Sequence, residues 1–224
     1  MKLSTGKKLL SLGIILIVID QIIKVLVKTG MTLGQHINVF GDWFQLLFVE
    51  NEGMAFGWSF GNGVGKFCLS LFRICLGAAL IWWIGKMSRS NDKALSEGAA
   101  KPVPTGFLVG LTMITAGALG NIIDCFFYGL VFSESAYGVL AEFGGHYAPF
   151  MFGKVVDMFY FPIINTTWPS WLPVIGGTPF TFFDPVFNFA DSCVTVGAFY
   201  LVLFQWKFLS SLDGESKKSE KNDK

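Results

Sequence analysis

The chain has 224 residues, of which 52% are hydrophobic and only 15% charged, with 24 Phe, 7 Trp and a formal net charge of +1. Such a composition excludes an ordinary soluble domain of this length and points to a membrane protein. The near-neutral balance gives no reason to expect a nucleic-acid partner, and what matters is how charge is distributed along the chain.

The first eight residues carry Lys2, Lys7 and Lys8 and resemble the basic start of a secretory signal peptide. The apolar stretch that follows, roughly 9–28, is long and contains Asp20 and Lys24, so it is expected to be retained as a membrane helix. A bilayer core requires about 20 mostly apolar residues per helix. Four windows meet that requirement, at roughly 9–28, 67–87, 105–131 and 186–208. Within the first, Asp20 and Lys24 stand at i and i+4 with the acid on the N-terminal side, the better orientation for a helical ion pair. Lys24 lies in the outer half of its span, so donation to a bound substrate is the alternative role.

In the loop at 30–66, Ile37–Phe40 and Phe44–Val49 are β-prone and separated by Gly41-Asp42, which predicts a small sheet on the membrane surface. Gly61–Lys66 superficially suggests a phosphate loop, but its first glycine is misplaced and Phe67 follows the lysine where Ser or Thr belongs. Span two carries Arg73 near its outer end. In span three, Gly117, Gly120, Asn121 and Asp124 fall on one helical face. The glycines, with Gly106 and Gly110, allow close helix approach.

The loop at 132–185 is rich in Phe, Trp, Tyr and Pro, side chains that favour the headgroup level, and it contains Asp157. In span four, Asn188 and Asp191 share a face, with Thr195 one turn further in. Twelve of the 17 basic residues precede span one, lie between spans two and three, or follow span four. The positive-inside rule therefore places both termini and the 88–104 loop in the cytoplasm. The tail at 213–224 is too polar to fold alone and is expected to be disordered, leaving residues 1–212 as one integral-membrane domain.

This topology brings Asp20, Asp124, Asp157 and Asp191 toward the outer leaflet. An ionised carboxylate costs several kcal/mol near a bilayer interior, so such acids are read as functional. Two carboxylates at one membrane face suggest paired acid and base chemistry, without a metal, a cofactor or a covalent enzyme intermediate. Cys68, Cys75, Cys125 and Cys193 lack metal or disulfide spacing and read as buried thiols, and His36 and His146 are too isolated for a typical metal site. A proton- or cation-conducting transporter is the competing class, disfavoured by the absence of an internal repeat and by the clustering of acids at one face. A purely structural membrane partner is the third.

Five blocks carry a resemblance: Asp20-Gln21-Ile22-Ile23-Lys24, Asn51-Glu52-Gly53-Met54-Ala55-Phe56-Gly57, Gly120-Asn121-Ile122-Ile123-Asp124, Val155-Val156-Asp157 and Phe187-Asn188-Phe189-Ala190-Asp191. In this order and topology they resemble the bacterial lipoprotein signal peptidases, or signal peptidase II, over about residues 9–208. The resemblance implies an aspartic endopeptidase that cuts the signal peptide from a prolipoprotein just before its diacylglyceryl-modified cysteine. It implies Asp157 and Asp191 as the catalytic pair. Asp20, Lys24, Asn51, Gly53, Gly120, Asn121, Asp124, Asn188 and Ala190 would bind substrate or hold the site. It further implies a β-cradle on the membrane, matching residues 30–66, and sensitivity to globomycin.

Two departures stand out. The family usually has arginine after the acid of the third block, where this chain has Cys125. Its loss removes a fork of donors, which Arg73 is a candidate to replace. The stretch between Asp124 and Asp157 is also longer than is common in the family, so about 127–153 reads as an insertion. The expected fold is thus an all-α membrane protein of four transmembrane helices, with a small extracytoplasmic sheet and an interfacial outer loop.

Overall fold

The structure, a computed structural model, describes residues 4–52, 63–97 and 102–211. The helices are α1 (Thr5–Gly30), α2 (Gly63–Glu97), α3 (Thr105–Ile123), a three-residue α4 (Gly129–Val131) and α5 (Phe189–Phe204), with a π-helical turn at Asp124–Tyr128 between α3 and α4. Among the described residues, three stretches, Thr5–Gly30, Ser70–Ala94 and Thr105–Val131, are long and apolar enough to cross a membrane. The fourth expected span corresponds to α5, which is apolar but has 16 residues, about 24 Å at 1.5 Å per residue. On α1, Leu10, Ile14, Val18 and Ile22 are exposed, as side chains that face hydrocarbon are.

The all-α expectation is too narrow, because six strands form among the described residues. They are β1 (His36–Phe40), β2 (Phe44–Asn51), β3 (Val155–Tyr160), β4 (Ile164–Thr167), β5 (Pro179–Phe182) and β6 (Val186–Phe187). The hairpin expected at 37–49 is β1–β2, turning at Gly41 with φ 52°. It grows into a four-stranded antiparallel sheet ordered β1-β2-β3-β6, while β4 and β5 form a separate hairpin. The 132–185 loop is thus strand-rich. Its aromatic and Pro-interrupted sequence hides the period of two by which strands are recognised.

The chain divides into two compact units. The first contains residues 1–20, 71–122 and 190–224, and its core is Leu9, Phe107, Leu108, Leu111 and Leu201. Here Gly110 lets α3 approach Leu201 of α5, since a Cβ at that position would lie 2.6 Å from Leu201 Cδ2. The second contains residues 21–70 and 123–189, with Val27, Met31, Phe48, Tyr128, Phe132, Val156 and Met158 as its core. Among the described cysteines, Cys125 and Cys193 are buried, but Cys68 and Cys75 are exposed. The expectation of buried thiols holds for the first two only.

Candidate active site

In the second unit, β3 carries Asp157 at the centre of its sheet, paired opposite Val49 of β2, with Val155 opposite Asn51. A register shift between Leu46 and Val49 marks a bulge, a feature that re-aims side chains beside functional sites. Asp157 is only 4% exposed. A carboxylate buried to that degree requires donors, and Asn188 Nδ2 donates to Asp157 Oδ1 at 2.7 Å. One residue earlier in β3, Val156 N donates to Asp124 Oδ2 at 3.3 Å.

Asp124 opens the π-helical turn and is fully buried. Its partners include Lys24 Nζ at 2.7 Å and Gln21 Nε2 at 2.9 Å, while Tyr128 donates its hydroxyl to Gln21 Oε1 at 3.2 Å. Lys24, one turn beyond Asp20 on α1, therefore makes an ion pair that the i, i+4 spacing gave no reason to expect. The buried Lys24–Asp124 pair fixes the chain immediately before the strand acid, since either charge without its partner would be strongly destabilising.

In the first unit, Asp191 sits in the first turn of α5, where the helix dipole favours negative charge. Asn121 Nδ2 donates to Asp191 Oδ1 at 2.8 Å. Asn121 thus serves Asp191, as Asn188 serves Asp157. Asp20 Oδ1 accepts from Ala190 N at 2.9 Å, which satisfies a backbone N–H that has no intrahelical partner at a helix start. Gly120 is buried beneath this arrangement. A Cβ there would stand 2.6 Å from Asp20 Oδ2 and 3.2 Å from Ala190 Cβ, so glycine is required by close approach.

The second unit also contains a polar cluster that the sequence reading missed. Lys28 and Glu50 form an ion pair, and their side chains are 0% and 3% exposed. Ser135 Oγ lies 2.8 Å from both Lys28 Nζ and Glu50 Oε1. The Tyr147 ring lies 5.0 Å from Lys28 Nζ, and Phe132 stacks on the same ammonium at 5.5 Å. Ser135, Tyr147 and Phe132 all belong to the insertion, which is thus an ordered cover over this pair. Burial pushes the Tyr147 hydroxyl well above the ordinary tyrosine range, the nearby Glu50 charge adding to the effect while a hydrogen bond from Lys154 N opposes it. Lys28, one turn after Lys24 near the end of an apolar run, was the available signal.

The sequence-predicted residues therefore fall into two groups. Lys24, Asn51, Asp124, Asp157 and Asn188 belong to the second unit, and Asp20, Gly120, Asn121, Ala190 and Asp191 to the first. Arg73 lies half-buried on α2, Cys125 is buried in the π-helical turn, and Gly53 lies outside the described residues. Among the described residues, no three His, Cys, Asp or Glu side chains form a group suited to a metal ion.

Residues 12–207 match the family model for signal peptidase (SPase) II. A lipoprotein signal peptidase of Porphyromonas gingivalis is 45% identical over 218 residues, covering 96% of this chain and 90% of its own. One of Amoebophilus asiaticus is 32% identical over 199 residues, covering 88% and 76%. Among solved structures, a bacterial membrane enzyme determined by the in meso method has a similar fold, with a TM-score of 0.55 at 19% identity over 92% of this chain and 91% of that one.

Proposed function

The chain belongs to the signal peptidase II family, and from that footing we propose that Asp157 and Asp191 are its two catalytic carboxylates. As a member, it is a membrane aspartic endopeptidase that removes signal peptides from prolipoproteins. The observation that carries the assignment is Asn188. Its amide donates to Asp157, and it stands three residues before Asp191 in the chain. Three residues span at most about 10 Å, so covalent geometry alone tethers the partner of one acid close to the other. The site then works as a dyad.

Two carboxylates sharing one site cannot both ionise cheaply, so one holds a proton and the other acts as a base. The pair titrates together and neither acid has a fixed role. The base takes a proton from a water molecule, which attacks the scissile carbonyl. The protonated partner polarises that carbonyl and then passes its proton toward the leaving amine. Asn188 and Asn121 orient the two carboxylates, and Asn51 offers an amide to the substrate backbone. Lys24 and Asp124 secure the strand from below, as Asp20, Gly120 and Ala190 secure the start of α5. Gly53 shares the Asn51 block, and Arg73 takes over the donor role that the family gives to an arginine at position 125.

The lysine and arginine distribution supports four crossings of the bacterial inner membrane, with both termini cytoplasmic and the acids toward the outer face. The substrate is cut N-terminal to its lipidated cysteine, because lipid anchoring holds the peptide bond at the depth of the acids. Residues 1–212 work as a single, monomeric integral-membrane peptidase that globomycin-type cyclic peptides inhibit, and the tail expected at 213–224 lies outside the described residues. Purified protein incubated with a diacylglyceryl-modified prolipoprotein tests the reading: release of the signal fragment is expected from the natural chain and not from Asp157→Asn or Asp191→Asn. Full cleavage by either variant removes the dyad.

A further inference from the structure

Within the first unit, α1, α2 and α3 enclose a cleft of about 260 Å³. Its lining runs along α1 from Gly6 to Ile17, about 16 Å at 1.5 Å per residue. Gly6, Gly13 and Gly85 leave the space open, and the rim residues Leu10, Ile14 and Ile81 are exposed at 64%, 52% and 51%. The cleft therefore opens sideways between helices, where hydrocarbon and not water surrounds the protein.

Three hydroxyls line this apolar space. Thr112 and Thr115 donate to the carbonyls of Leu108 and Leu111 on their own helix, each at 2.8 Å. Ser88 is different: it is 2% exposed, and its Oγ has no hydrogen-bond partner among the described residues. A buried hydroxyl left unpaired is costly, and this one belongs to the cleft wall at its α1 N-terminal end, where a Cβ on Gly6 would come within 3.0 Å of it. Beside it, Arg89 Nε donates to Gly85 O at 3.1 Å, which lays the guanidinium over a residue that lines the cleft. Lys7 and Lys8 follow Gly6 on α1.

We propose that this cleft binds an acyl chain of one anionic phospholipid, drawn from the leaflet around the N-terminal end of α1. Ser88 Oγ donates to the ester carbonyl, and Arg89, with Lys7, meets the phosphate. The apolar walls accept the chain, the unpaired hydroxyl gains its acceptor at the depth where a glycerol ester lies, and the basic side chains stand at the headgroup level. None of the four acids lines the cleft, and lipid binding there requires nothing of the peptidase mechanism.

The full chain, reconstituted in phosphatidylcholine nanodiscs and titrated with phosphatidylglycerol, provides the test. Native mass spectrometry is expected to show one phosphatidylglycerol retained in preference to phosphatidylcholine. Gly13→Leu, which fills the cleft, abolishes retention, and Arg89→Gln lowers the anionic preference about fivefold. Processing of prolipoprotein by both variants stays unchanged. Equal retention by Gly13→Leu and the natural chain, or an unaltered headgroup preference in Arg89→Gln, overturns the proposal. So does a raised KM for prolipoprotein in Gly13→Leu with lipid retention intact, which would give the cleft to the substrate. Should Gly13→Leu fail to fold, Ser88→Ala decides: lost retention supports the site, and undiminished retention with a raised Tm makes Ser88 an unpaired hydroxyl only.

Discussion

Asn188 donates to Asp157 across 2.7 Å, and both side chains are buried, at 0% and 4% exposure. A strand acid is thus held by an amide that immediately precedes a helix whose first turn carries a second acid. Replacing Asn188 with Ala removes a buried hydrogen bond to a carboxyl group, worth about 1.5–3 kcal/mol. The expected result is a fall in kcat of about ten- to a hundredfold with KM nearly unchanged, read from initial rates on a lipidated prolipoprotein peptide. An unchanged kcat would detach Asn188 from the chemistry.

Asp157→Asn and Asp191→Asn preserve shape and remove acid–base capacity. Each is expected to reduce cleavage by at least about 10²-fold while the protein remains membrane-inserted at normal levels. Immunoblotting of membranes beside a gel-shift processing assay separates lost chemistry from lost protein.

The Lys24–Asp124 pair predicts non-additivity. Lys24→Met alone leaves a buried carboxylate without its cation and destabilises by about 3–5 kcal/mol. The double variant Lys24→Met with Asp124→Leu is expected to be less destabilised than the lysine variant, because no charge is stranded. Thermal unfolding in detergent measures both. A double variant that loses the sum of the single losses contradicts the coupling.

Tyr147 gives a pH dependence. Its hydroxyl titrates above the ordinary tyrosine value of about 10, chiefly because burial disfavours the phenolate. Below that pH both folded and unfolded chains hold the proton and stability is intact. As pH rises further, the unfolded chain releases the proton while the folded one keeps it, so stability falls. Tyr147→Phe is expected to be less stable at neutral pH by about 1 kcal/mol, having lost the hydroxyl that accepts from Lys154 N at 2.8 Å. Its decline above pH 10 should be shallower, as Tm measured against pH will show.

What was legible in the sequence followed from how expensive certain residues are in lipid. Asp20, Lys24, Asn121 and Asp124 stand out because an apolar helix has no reason to carry them unless they are partnered. The first hairpin was legible because Gly41-Asp42 separates two β-prone runs. Choice of partner was not. Spacing on a helix names neighbours within that helix, so it could show neither that Lys24 reaches Asp124 nor that the donor to Asp157 arrives from a residue 31 positions away. The π-helical turn at Asp124–Tyr128 was equally hidden, since an apolar run such as Cys125-Phe126-Phe127-Tyr128 reads alike in either helical form. Strands β3 to β6 escaped because their side chains include few of the polar alternations that mark a surface strand.

The cover over Lys28 and Glu50 restricts how this chain can be shortened. Trimming residues 132–153 back to a tight turn would take Ser135, Tyr147 and Phe132 away from the two charges and let water reach them, so the shortened protein would exchange a dry, hydrogen-bonded ion pair for a hydrated and weaker one. Lys28, Glu50 and the insertion therefore form one transferable module, to be grafted or deleted as a whole.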